Sequence, residues 1–214
     1  MTTEIGIGIS TNFDSFNAGK EAARSTFYQL NRKKPDILIV FISTTFDQEE
    51  AIKGIHSIIK GAPLVGCSSV GSITASGSIR NSVTVCGISS DSISFSYGVG
   101  NEITKNPRLA GSKAAKQSSG LTNTTTKAYI MFCDALSGNG ADILRGAQEV
   151  LGTSFPIIGG SATDDLSFQK TYQYLNNNIY TDSIIGLCIN GNINIGIGVA
   201  HGWQPIGMPH KITR

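Results

Sequence analysis

AGKEAAR at residues 18–24 returns as AGSKAAK at residues 110–116, an offset of 92 positions. The agreement continues at the same offset through the next helical pattern, where residues 51–59 fall on residues 143–151. A period this long indicates a duplicated half-domain, because a solenoid repeat is only one hairpin or one helix pair. The sequence therefore predicts an internally duplicated, pseudo-twofold α/β domain, with any ligand site where the two copies meet.

Two further stretches extend the repeat at slightly larger offsets. PLVGCS at residues 63–68 meets PIIGGS at residues 156–161, and ISFSYGV at residues 93–99 meets INIGIGV at residues 193–199. The offset grows only in predicted loops, so the periodic elements themselves are preserved. The matches predict one domain over residues 1–207, with a first copy at about 4–100 and a second at about 107–201.

Size and composition make several classes of function unsuitable for this chain. A chain of 214 residues can bury one substantial core. Its 17 basic residues nearly balance 15 acidic ones and are scattered, except for Arg32-Lys33-Lys34 at a predicted helix end, which argues against nucleic-acid binding. We expect a cytoplasmic protein without membrane insertion, because no apolar run approaches the ~20 residues that cross a bilayer and no leader precedes the first strand. The four cysteines stand singly, without zinc or redox spacing.

Hydrophobic periodicity predicts mixed β-sheets flanked by helices, built from β-α-β units and antiparallel hairpins. In the first copy we expect strands at 4–10, 36–43 and 64–68, and helices at 16–31, capped by Asp14 or Ser15, and at 47–60. In the second copy we expect helices at 107–119 and 139–151, and strands at 128–134 and 156–160. A hairpin is predicted over 82–100 with its turn at Ser90-Asp91. Three antiparallel strands are expected at 169–175, 182–189 and 192–201, the last two joined by Asn190-Gly191.

The glycine and serine loops that follow the third strand of each copy are the first candidate site. They lie at the carboxyl ends of buried strands, where open α/β sheets collect ligands. Small residues let backbone N–H groups approach a ligand, and hydroxyls add hydrogen bonds. The alternative is a pair of tight turns that need glycine only for its φ angle. The candidate residues are Gly66, Cys67 and Ser68 in the first copy, and Gly159, Gly160 and Ser161 in the second.

Asp164 and Asp165 are an acidic element that the first copy lacks. With Thr171 they are candidates to bind a polar ligand, one aspartate pairing with an ammonium group. A surface turn is the alternative, because aspartate is common in turns.

His201 and Trp203 end the last predicted strand. A histidine beside an indole can hydrogen-bond a ligand or coordinate a metal or haem, although a lone histidine is more often a strand-end residue. Cys67 paired with His201 would be a nucleophilic site only if a positive neighbour lowered the thiol pKa.

In their order along the chain, the PLVGCS loop, the segment Gly159-Gly160-Ser161-Ala162 with Asp164, and His201-Gly202-Trp203 closely resemble the N-terminal FIST domain, found in F-box and intracellular signal transduction proteins. The resemblance covers nearly the whole chain. That family usually has glycine where this chain has Thr163 before Asp164, so both aspartates stay candidates.

The resemblance implies an intracellular, non-catalytic sensor of amino acids or related metabolites. It also implies that residues 208–214 are a tail before a C-terminal FIST domain. Some bacterial relatives bind haem, sense nitric oxide and work with histidine kinases or cyclic-di-GMP enzymes. The leading hypothesis is therefore a metabolite-binding sensor without a cofactor. A haem-based nitric oxide sensor with His201 as ligand is the alternative, and a Cys67/His201 acyl- or amide-transfer enzyme is the third.

Overall fold

The same run of elements occurs twice along the chain. A computed structural model describes residues 2–74, 77–120, 125–208 and 211, so that most of the predicted tail lies outside the described residues. The first unit consists of β1 (Thr3–Ser10), α1 (Ser15–Gln29), β2 (Ile37–Ile42), α2 (Gln48–Ile58), β3 (Leu64–Ser68), β4 (Gly71–Thr74), β5 (Gly77–Arg80) and β6 (Val83–Ser90). The second consists of β7 (Ile93–Asn101), α3 (Pro107–Ser119), β8 (Thr126–Asp134), α4 (Gly140–Leu151), β9 (Ile157–Ala162), β10 (Gln173–Leu175), β11 (Asn178–Tyr180) and β12 (Ser183–Gly191).

The strand order confirms the predicted duplication. One sheet has the order β1-β6-β2-β3-β10-β11, and the other has the order β7-β12-β8-β9. In both, the second and third strands of the unit pair in parallel, and the remaining neighbours are antiparallel. The fold is therefore α/β with mixed sheets, β-α-β units, antiparallel hairpins and flanking helices, as predicted.

The two sheets face each other, and each carries a helix pair on its outer face. α1 and α2 cover the first sheet around buried side chains that include Leu38, Val40 and Ile42. The inner faces meet in a second core, in which Val65 and Cys67 belong to the same cluster as side chains of the opposite sheet: Phe132, Ile185 and Leu187. Because each fully buried aliphatic side chain contributes about 1.5–3 kcal/mol, this interface holds the two units together.

The hairpin β10–β11 joins the two units through backbone hydrogen bonds. It follows β9 in the second unit but pairs with β3 of the first, with Tyr174 opposite Gly66. The edge of β9 has no equivalent cover among the described strands. The duplication is therefore asymmetric at the third strand of each unit.

Both helix pairs cross at glycines placed in the same way. A Cβ on Gly54 of α2 would lie 2.0 Å from the backbone oxygen of Phe16, and one on Gly146 of α4 would lie 1.9 Å from that of Arg108. The helix backbones are therefore too close for any side chain at these positions. This contact explains why the glycines recur at the offset of 92.

Two predictions about strand pairing are wrong. The hairpin expected over 82–100 does not form, because β6 joins the first sheet and β7 joins the second. The chain thus passes between sheets at the turn after Ser90, instead of folding back on itself. The strand expected at 192–201 is also absent from the described structure, in which β12 continues through Gly191 and residues 193–200 have no strand partner.

The segment before β12 differs in detail from its prediction. The strand expected at 169–175 starts only at Gln173, because residues 163–170 form a loop, and the short strand β11 was not predicted. None of the helices in the described ranges combines the length and the apolar character that a membrane span requires.

Replacing Gly54 or Gly146 by alanine should destabilise the protein by about 1–3 kcal/mol, because the added methyl group forces the two helix backbones apart. The measurement is urea denaturation followed by circular dichroism. Gly140→Ala at the start of α4 is the matched control, since a Cβ there meets nothing within 4 Å. Equal stability of all three variants would contradict the close helix crossing.

Candidate functional site

A cavity of about 330 Å³ opens between the two sheets at the carboxyl ends of β3 and β9. It contains five residues predicted from the sequence, and they come from both copies. These are Cys67, Ser68, Gly159, Gly160 and Ser161. The remaining lining residues are Phe41, Ser69, Ile130, Phe132 and Ile158. The structure thus brings the two glycine and serine stretches together at the seam between the copies, although they form the ends of strands β3 and β9 and are not the predicted loops.

A second cavity of about 730 Å³ shares Phe41 and Ser69 with the first. It lies over the first sheet beneath the hairpin β4–β5, and its walls include Ile7, Ile9 and Ile73. Neither set of lining residues contains a charged side chain. The two cavities together form an apolar crevice, which we call the seam crevice, with hydroxyl groups at its rim.

The seam crevice is bounded on one side by an aromatic pair. Phe41 of β2 and Phe132 of β8 come from opposite sheets, and their rings meet edge to face with centroids 5.9 Å apart. Such edge-to-face pairs contribute about 0.5–1.5 kcal/mol beyond their buried area. The pair therefore joins the two sheets beside the smaller cavity, which both rings line.

Backbone packing within the strands explains two of the predicted glycines, Gly66 of β3 and Gly159 of β9. Gly66 and Gly159 share a φ of 153°, and a Cβ on either would approach the backbone oxygen of Val40 or Met131 to 1.9 Å and 2.1 Å respectively. No other residue fits this close contact between parallel strands. Gly66 is buried within β3 and does not line the cavity, whereas Gly159 and Gly160 are exposed on β9.

Ser68 is buried, and its hydroxyl group is already engaged. It donates to the backbone oxygen of Thr163 at 2.9 Å and accepts from the backbone N–H of Tyr172 at 3.0 Å. The side chain of Thr163 in turn accepts from the N–H of Val70 at 2.9 Å. These bonds connect the end of β3 to the loop after β9, so Ser68 shapes the crevice by joining the copies.

Asp164 does not point into the crevice, since its carboxylate organises its own loop. The carboxylate is buried and accepts from the N–H groups of Phe168, Gln169 and Lys170 and from the hydroxyl of Ser167, at 2.6–3.1 Å. Burial opposes its ionisation, but these donors outweigh that effect and hold the pKa of Asp164 below its ordinary value. The predicted pairing with a ligand ammonium is thus in competition with a complete set of internal donors.

Asp165 and Thr171 have structural partners as well. Asp165 adopts a left-handed φ of 55°, and its Oδ2 accepts from the hydroxyls of Ser43 and Thr44, both at 3.1 Å. It therefore bridges the second copy to the end of β2. Thr171 is buried, and its hydroxyl accepts from the side-chain amide of Gln173 at 2.9 Å.

His201 and Trp203 lie away from these residues. Both are exposed, and Trp203 donates its backbone N–H to Nδ1 of His201 at 3.3 Å. Neither residue lines either cavity of the seam crevice. Within the part of the chain that the structure describes, the apolar lining of the seam crevice therefore does not enclose His201.

Cys67 is poorly placed for nucleophilic chemistry. Burial, together with the nearby thiol of Cys133, raises the pKa of Cys67 to about 12. The side chain is therefore a protonated thiol at neutral pH, and His201 is not beside it to accept the proton. This environment argues against the Cys67/His201 enzyme.

Sequence reasoning missed several residues that build the site. Phe41 lies in the unbroken apolar run of the strand predicted at 36–43, which gives no sign that its ring lines both cavities. Ser43 and Thr44 bind Asp165, and the hydroxyl run that follows β2 was an available signal for them. Their partner is 122 residues away for Ser43, beyond the reach of any local pattern.

A comparison with models of protein families identifies the family of this chain. The model of the FIST N domain matches residues 36–214. The chain belongs to the FIST N domain family. The match covers most of the chain, and it confirms the resemblance seen in the sequence.

Comparisons with individual proteins give similarity to this FIST N domain only over a short stretch or at low sequence identity. "Uncharacterized protein MJ1623" of Methanocaldococcus jannaschii is 31% identical over 68 residues, which are 31% of this chain and only 13% of that protein. Among solved structures, a cyanuric acid hydrolase from A. caulinodans is 10% identical with a TM-score of 0.45, and the match covers 90% of this chain and 72% of the other. Another cyanuric acid hydrolase structure is 8% identical with a TM-score of 0.39, covering 89% and 68%.

The hydrogen-bonded loop of this FIST N domain should respond to acid through Asp164. Because its folded pKa is depressed, its charge stabilises the protein at neutral pH, and that contribution disappears as the pH falls below about 4. Asp164→Asn should lower the free energy of unfolding at pH 7 by about 1.5–3 kcal/mol, which is what hydrogen bonds to a charged group contribute. Denaturant titrations of the unmodified protein and of Asp164→Asn, from pH 7 to pH 3, measure the difference in their free energies of unfolding. A difference that stays constant over that range would contradict the assignment.

Proposed function

We propose that this FIST N domain is a non-catalytic sensory domain for signal transduction, and that its ligand binds in the seam crevice. The observation that supports the proposal is the convergence of Cys67, Ser68, Gly159, Gly160 and Ser161, from both copies, on one cavity. The family is a sensory one, and a site between two duplicated units suits this role, because a ligand there contacts both.

The lining favours an uncharged ligand. Among the described residues no charged side chain lines the crevice, and the two nearby aspartates already accept hydrogen bonds within the protein. A charged group without a partner is costly to bury, and a zwitterionic amino acid would find only uncharged N–H and hydroxyl groups in this lining. We therefore propose a small metabolite related to amino acids, neutral and partly apolar, with groups that hydrogen-bond to the rim hydroxyls.

Binding would be transmitted through the contacts that join the copies. The loop at residues 163–170 closes one end of the seam and carries left-handed φ angles at Asp165, Leu166 and Phe168, a form of backbone strain that recurs in switch regions. Leu166 and Phe168 are exposed on its outer side, where an output partner would contact them. We propose the cytoplasm as the compartment, and a C-terminal FIST domain, a histidine kinase or a cyclic-di-GMP enzyme as partners.

A ligand screen tests this function. Thermal denaturation is measured with neutral metabolites in one set and free amino acids in another. A ligand at 100 times its Kd should add about 2.7 kcal/mol and raise the Tm by about 5–10 °C. Stabilisation by amino acids alone would overturn the neutral ligand class, and the absence of any stabilising compound would count against the sensor.

Gly160→Leu should abolish the ligand-induced rise in Tm without unfolding the protein. A Cβ at Gly160 meets no atom within 4 Å, so a leucine there can occupy the cavity without a backbone clash. The unliganded variant should keep its stability to within about 1 kcal/mol. An unchanged ligand response in this folded variant would place the binding site elsewhere.

The haem alternative has a direct spectroscopic test. Because the His201 side chain is exposed and lies outside the crevice, added haem should give the same absorption spectrum with the unmodified chain and with His201→Ala. A Soret band that shifts with nitric oxide and disappears in His201→Ala would replace the metabolite sensor by a gas sensor.

A further inference from the structure

A groove lies apart from the seam crevice, between helix α2 and the edge strand β11. Its volume is about 860 Å³. One wall is a single face of α2 with helical spacing, formed by Glu49, Ile52, Lys53, His56 and Ser57. The other wall is β11 with the residue before it, Asn177 to Tyr180. The helix comes from the first copy and the strand from the second. We call this feature the α2–β11 groove.

β11 is the last strand of the six-stranded sheet, and no described strand pairs with its outer edge. Such an edge presents backbone N–H and C=O groups that can pair with another chain. Ile179 of β11 is half-buried and packs with the same core cluster as Ile52 of α2. The groove therefore has an apolar floor beside a free sheet edge and beneath a helix.

His56 supplies a specific recognition group in this groove. Its Nδ1 is 3.3 Å from the backbone oxygen of Ile59, a group that can only accept, so Nδ1 carries the hydrogen. When the ring carries only this hydrogen, Nε2 has a lone pair that can accept a hydrogen bond. This atom is shielded from solvent, but no described residue donates to it. A buried acceptor without a donor destabilises the folded protein, and a ligand that donates to it would remove that cost.

Charge gives the groove a second preference. Lys53 is neutralised by an ion pair with Glu50 at 2.7 Å. Glu49 takes part in none of the ion pairs among the described residues. The free charge on this wall is therefore negative, and it favours a basic group on the occupant.

The second copy lacks this combination. At the offset of 92, Ala141 replaces Glu49 and Gln148 replaces His56 on α4. No strand equivalent to β11 lies beside β9 among the described residues. The groove is thus a feature of one copy and does not follow from the duplicated fold.

We infer that the α2–β11 groove binds an extended peptide, which adds to the edge of β11 as a further strand. Strand addition beside a helix is an established mode of peptide recognition, in which backbone pairing gives affinity and alternate side chains give specificity. The peptide places an apolar side chain over Ile52 and Ile179, a hydroxyl or amide donor on Nε2 of His56, and a basic side chain beside Glu49. This site is independent of the seam crevice and of its metabolite.

Selection from a phage-displayed random nonapeptide library against the full chain tests the inference. Enriched sequences should combine a basic residue with a serine, threonine or asparagine, and the synthetic peptides should bind with micromolar Kd by fluorescence anisotropy. His56→Leu should weaken binding about tenfold, and Glu49→Gln should weaken it by a smaller, salt-dependent factor. Gln148→Leu, at the matched position of α4, and Gly160→Leu in the seam crevice should leave the Kd unchanged.

Two measurements separate recognition from a structural role. His56→Leu should change the Tm little, because the lost hydrogen bond from Nδ1 to the backbone oxygen of Ile59 is offset by removal of a buried acceptor that has no donor among the described residues. N-methylation of successive peptide bonds should abolish binding at every second position only, since a strand turns alternate N–H groups toward its neighbour. Failure to enrich any peptide, equal binding by His56→Leu, or an N-methyl scan without alternation would overturn the inference.

Discussion

The antiparallel pairing of β10 with β3 is the contact on which the rest of this structure depends. It takes three residues from the second unit and adds them to the sheet of the first, with Tyr174 opposite Gly66. Tyr174 is fully buried and donates its hydroxyl to Gln48 of α2. The pairing brings the loop at residues 163–170 against the end of β3 and places β11 beside α2. Both the seam crevice and the α2–β11 groove exist because of it.

Glycine sets the spacing of the backbone on both sides of each sheet. On the outer side, Gly54 and Gly146 let paired helices cross in backbone contact; within the sheets, Gly66 and Gly159 let parallel strands approach with an unusual φ. These positions recur in both copies because the same contacts recur. Gly160 differs, since nothing crowds it, and it occupies the position that Cys67 has in the first copy. The open space in the seam therefore lies beside a position at which the two copies have different residues.

Local patterns predicted most elements well, and their errors have a common cause. The helices and the central strands agree with their predicted ranges to within a few residues, because burial on one face imposes a readable period. The hairpin expected over 82–100 is wrong because adjacency in sequence does not decide which sheet receives a strand. The acidic pair was recognised as distinctive, but Asp164 binds its own loop and Asp165 binds the end of β2. Which polar groups are already satisfied depends on partners far along the chain.

The sequence by itself determined the duplication, the α/β class and the family, since each follows from residue patterns within a few turns or strands, and it singled out the two glycine and serine stretches as site candidates. Only the tertiary structure decided that β10 crosses to the other copy, that Cys67 is buried as a protonated thiol, and that His56 presents a free acceptor between a helix and a sheet edge. The reason is physical: burial, pKa and hydrogen-bond satisfaction are properties of the groups that surround a residue. In this fold those groups come from the other copy.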